Sequence, residues 1–206
     1  MSGSQTSVSN MALSHLGVGV QLGNAVTETS TEAKACREFF EPALISTLKD
    51  YKWPWAKKFT ELALVEEEPG NGFNYSYRYP SDCIDVRAVE ASFDLTPGVI
   101  FQKPSPYDLG FDSSGLLIYS DIDDASIMYT PKITNFDVYP ENFKIALSYR
   151  LASYIAPRLT KGDPFKLGNK AFQMYQIEIA RASASSFNET KPAENPDSDM
   201  ISIRNT

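Results

Sequence analysis

The sequence predicts an α+β protein: helical segments at both chain ends, a β-rich antiparallel insertion between them and an extended C-terminal arm. Three observations carry this. Apolar residues recur at helical spacing in residues 31–49 and again in residues 143–182. Between them, short β-branched and aromatic runs alternate with turn signals. The links between these runs are too short for crossover connections, so neighbouring strands pair antiparallel. The expected organisation is residues 1–52 helical, 53–139 β-rich, 140–187 helical again and 188–206 an arm.

The first helix is expected over residues 7–16, with Val8, Met11, Ala12 and Leu16 near one face and Gly17 and Gly19 ending it. Thr29 and Glu32 have capping-box spacing, which starts a second helix there. Its buried stripe is Cys36, Phe40, Ala43, Leu44 and Leu48. Pro42 lacks a backbone donor and crowds the preceding turn, so a kink or two shorter helices are expected near Phe39.

The pattern changes at Trp53-Pro54-Trp55. Strands are expected over residues 59–65, 73–79, 84–91, 115–119 and 125–129, separated by turns at 69–72, 80–82 and 96–98. Helix returns after Tyr139, with Pro140 at a first helical position, an apolar face of Phe143, Leu147, Leu151 and Tyr154, and a stop at Pro157. Asp163-Pro164 starts a last helix, whose Phe172, Tyr175, Ile179 and Ala182 pack back on its predecessor as a helical hairpin.

Beyond Phe187, residues 188–199 are polar and proline-bearing, with too little apolar surface to offset the entropy of their own ordering. Met200, Ile201, Ile203 and Arg204 then alternate in a way that suits a strand added to another protein's sheet. A frayed terminus fits the same residues.

Composition excludes more than it selects. A formal charge of −7 disfavours a phosphate-gripping or sequence-reading protein, and Lys57-Lys58 is the one adjacent basic pair. No run reaches the roughly 18 apolar residues that span a bilayer, and the N-terminus lacks a signal-peptide pattern, so no membrane insertion is expected. Cys36 and Cys83 are the only cysteines, which suits a reducing cytoplasm and gives no disulfide framework or zinc set.

A catalytic set is hard to assemble, and neither enzyme activity nor a cofactor is expected. The single histidine, His15, lies at a helix end with no nucleophile near it in sequence, where meeting backbone carbonyls is its expected role. The carboxylate clusters Glu66-Glu67-Glu68 and Asp121, Asp123 and Asp124 read as a solvated strand end and a turn. The glycine and closing glutamate of a calcium loop are missing, as are phosphate-binding glycine loops and zinc-protease motifs. An alternative is a glycan-binding or glycan-hydrolysing tail component. In it Trp53 and Trp55 stack on sugar and the glutamate run supplies acids. Against it, tryptophans flanking a proline at a helix-to-strand junction commonly plug a core edge.

Six segments in order resemble the tail tubular protein A family, the head-to-tail adaptors of podoviruses. They are NMALSHLGVG (10–19), STEAKACREFFEPAL (30–44), YKWPWAKKFTELALVEE (51–67), YSYRYPSDCIDVRAV (75–89), LLIYSDIDDASIMYT (116–130) and ALSYRLASYIAPRLTKGDP (146–164). Residues 93–114 and the C-terminal tail carry no part of the resemblance. It implies a helical bundle made by the two chain ends, a β-rich insertion, and an arm that embraces the portal, with Phe187, Met200, Ile201, Ile203 and Arg204 as its portal-binding residues. It also implies a structural virion protein, made in the host bacterial cytoplasm and housed in the tail below the portal vertex. The implied partners are eleven further copies in a twelve-membered ring, the phage portal protein, the nozzle (tail tubular protein B) and tail fibres. Genomic DNA would pass the channel in passive contact, and twelve copies would carry roughly −84 in total, a charge that repels phosphates if it faces the lumen.

Overall fold

The computed structural model describes residues 5–69, 72–91, 105–160 and 163–189. Four helices and seven antiparallel strands make the protein α+β. They fall into two compact units, one of residues up to Ala56 with Lys132–Glu189 and one of Lys57–Pro131. The β-rich region is therefore narrower than residues 53–139: Trp53, Trp55 and Tyr139 belong to the helical unit because their rings pack on Phe143.

In the helical unit, α1 (Gln5–His15) buries Val8, Ser9, Ala12 and Leu13. It closes as expected, with Gly17 left-handed at φ 70°. Val18 N donates to Leu13 O and Gly17 N to Ser14 O, which satisfies carbonyls the helix leaves open. Helix α2 (Thr31–Lys49) is capped by Ser30 and not by the expected Thr29. The Ser30 hydroxyl accepts from Ala33 N, three residues on as an N-cap requires, and Thr29 stands one residue too early to serve that amide. Nor does Pro42 divide the helix. It lies on the exposed face, where water can take the bond that the Glu38 carbonyl loses. The expected stripe of Cys36, Phe40, Ala43, Leu44 and Leu48 is buried.

Helix α3 (Glu141–Leu159) is the hub, in contact with α1, α2 and α4. Phe143, Leu147 and Leu151 are buried as expected, but Ile155 takes the place expected of Tyr154. Pro157 sits inside the last turn and does not stop the helix, which continues to Leu159. A proline this close to a C-terminus removes one backbone bond and few others depend on it. Helix α4 (Pro164–Glu189) starts where expected, with the Asp163 carboxylate accepting from Lys166 N. It runs close to α3 at Gly168, where an added Cβ would stand 3.3 Å from the Ser153 carbonyl.

The β unit holds two sheets in the orders β1-β7-β4 and β2-β3-β6-β5. The strands are β1 (Lys58–Glu61), β2 (Leu64–Glu67), β3 (Tyr75–Arg78), β4 (Cys83–Glu90), β5 (Tyr107–Asp112), β6 (Gly115–Ser120) and β7 (Ser126–Pro131). Leu62, Tyr77, Val86, Val89, Ile118, Ala125, Ile127 and Tyr129 from both sheets form one core. The strand expected over residues 59–65 is two strands in different sheets. Leu62 N still bonds Ala125 O on the β7 side, and one residue later Ala63 O accepts from Arg78 N on the β3 side.

Candidate assembly surfaces

Each residue with chemistry to offer sits in surroundings that decide what it can do. His15 ends α1, and its ring stacks on Tyr149 at 3.7 Å between centroids. Its Nε2 lies 2.9 Å from Ser148 Oγ, so its partner is a hydroxyl and not the carbonyls expected of a helix end. The Ser148 proton goes to Ile145 O, which leaves its oxygen to accept from Nε2–H. Desolvation of the stacked face pulls the histidine pKa below its ordinary value. Sequence reading missed this Ser–His pair because 133 positions separate the two. Ser148 is fully buried, so the pair fastens α1 to α3 and offers no substrate a nucleophile.

Trp53 is fully buried and donates from Nε1 to Thr47 O at 3.0 Å. Its ring meets Phe143 edge-on at 5.2 Å, and Trp55 meets the same phenylalanine at 5.0 Å. A tryptophan closed off in this way cannot stack on a sugar, which removes Trp53 as a glycan platform. Among the described residues no three histidine, cysteine or acidic side chains are grouped to hold a metal. Asp121 instead accepts from Asn74 N at 3.0 Å, a bond to a backbone amide 47 residues away and not the local one expected of a turn aspartate.

Arg150 is the most heavily engaged cation. Its guanidinium lies 5.1 Å from the Tyr154 ring centre, 5.0 Å from Phe172 and 4.9 Å from Tyr175, and it donates to Ser46 Oγ at 2.6 Å. It thus joins α2, α3 and α4. Tyr175 in turn donates to Asp50 at 2.6 Å, and burial together with this bond raises the tyrosine pKa.

What remains accessible is apolar surface. On α4, Phe165, Phe172, Ile177 and Phe187 are exposed, and Phe187, the one expected arm residue within the described chain, shows 66% of its surface. Met200, Ile201, Ile203 and Arg204 lie outside the described residues. In the β unit the exposed set is Leu64, Val65, Leu109, Phe111 and Leu116. Phe111 lies opposite Leu116, and Leu109 opposite Ile118, in the β5–β6 hairpin. The core-side face of the four-stranded sheet therefore continues outward onto the hairpin as uncovered leucine and phenylalanine. Strand β5 was not anticipated, although Tyr107, Leu109 and Phe111 alternate with Asp108, Gly110 and Asp112, and Ser113-Ser114-Gly115 is a turn signal.

The hairpin is held firmly. Arg78 donates from both Nη atoms to both Asp112 carboxylate oxygens at 2.9 Å, and Asp112 also accepts from Ser114 N at 2.7 Å. The guanidinium, ahead of the other influences, lowers the Asp112 pKa to about 2. Beside the turn of this hairpin is an open cleft of about 680 Å³, with Leu62, Tyr79, Cys83 and Leu116 in its walls together with Arg78 and the turn residues Ser114 and Gly115. Lys58 and Asp82 pair at its rim at 2.8 Å, and Tyr129 donates to the other Asp82 oxygen at 2.8 Å. No helix of the described residues is long and apolar enough to cross a membrane. The chain matches no protein-family model and no curated protein.

Proposed function

We propose that the chain is a structural virion protein, the head-to-tail adaptor of a short-tailed bacteriophage, which works as a ring subunit between portal and nozzle and not as an enzyme. The observation that carries this reading is the placement of uncovered large apolar side chains on well-ordered elements. Phe165, Ile177 and Phe187 stand on one long helix, and Leu109, Phe111 and Leu116 on one braced hairpin. Contiguous exposed apolar surface on a rigid element marks a site that another macromolecule covers. The hairpin carries such a patch, since Phe111 and Leu116 are cross-strand partners and Leu109 lies two residues along on the same face, whereas the α4 side chains stand singly along the helix.

The six sequence segments that resemble the tail tubular protein A family support the same reading, as does a helical unit assembled from both chain ends. Under it, subunits close a ring through contacts between unlike surfaces, one side meeting the portal and the other the nozzle. Each copy carries a net −7, and such charge repels the phosphates of passing DNA if it faces the channel.

Electron microscopy and native mass spectrometry of the purified protein, alone and mixed with portal, test the proposal. The expected result is a ring of about twelve copies, formed alone or seated on the portal. A chain that stays monomeric in the presence of both portal and nozzle overturns it.

A further inference from the structure

We draw no further inference here: the strongest candidate, the uncovered apolar patch of Leu109, Phe111 and Leu116 on the β5–β6 hairpin, carries nothing because nothing in the structure shows what covers it.

Discussion

In the helical unit, Trp53, Trp55, Tyr139 and Phe143 meet with ring centres 5.0–5.9 Å apart, and the one cation among the nearby rings, Arg150, is itself enclosed by aromatic faces. In the β unit, tyrosines do different work. Tyr77 donates to Ile122 O and Tyr129 to Asp82, so each ring fills the core while its hydroxyl fastens a loop or an ion pair at the margin. A thin sandwich has little interior that is far from solvent, so it relies on such amphipathic residues and on charge pairs at its edge. The helical unit can place its specificity in buried shape. The two regions should therefore respond differently to cavities, to charge and to pH.

The largest effect is expected from Trp53→Ala, which opens a cavity in the aromatic cluster and strands the Thr47 carbonyl. A loss of about 3–5 kcal/mol is expected, read as a lower urea midpoint for the helical signal. A loss under about 1 kcal/mol would erase the contrast between the units. Next is Arg150→Lys, which keeps the charge but gives up the planar stacking over three rings and the reach to Ser46. About 1–2 kcal/mol is expected, measured by thermal melting at two salt concentrations. Because the contact is aromatic and enclosed, added salt should change it little.

The β unit should answer to pH. Asp112 has its pKa lowered from 3.8 to about 2 by Arg78, so its contribution is complete above the ordinary carboxylate value and is lost as pH falls from about 4 towards 2. With both partners about a third exposed, solvent weakens the effect. Following the Ser114 amide by NMR should show the turn loosening in that window in wild type. In Arg78→Gln the same change should move to higher pH. The smallest effect is expected from Phe187→Ser, within about 0.5 kcal/mol of wild type, because the side chain is already in water. Portal co-sedimentation of that variant is expected to fall all the same, which separates a surface kept for a partner from one kept for the fold.

The helices were legible because an apolar stripe such as Cys36, Phe40, Ala43, Leu44 and Leu48 repeats at the period of the element it buries. The division of residues 59–65 was not, since Leu62 and Ala63 carry no glycine or proline to mark where the chain leaves one sheet for another. Pro42 and Pro157 were read as breaks because a proline's local cost is visible in sequence, whereas the exposed face or last turn that makes it tolerable is not. The strand bearing Phe111 was readable from its alternation, but its aspartates and glycine resemble a loop. Of the surfaces, only Phe187 was anticipated within the described chain; the exposed side chains of the β5–β6 hairpin and the cleft beside it were not.

By itself the sequence determined the class of the fold, the helical ends and β-rich middle, and the acidic character of every copy, because periodicity and charge are sums over neighbours along the chain. Tertiary structure alone decided that Ser148 meets His15, that Arg150 is ringed by aromatics, and that the core-side face of one sheet runs on uncovered to Phe111. Those depend on which distant residues share a point in space, and burial, dielectric and hydrogen-bond partners are set there.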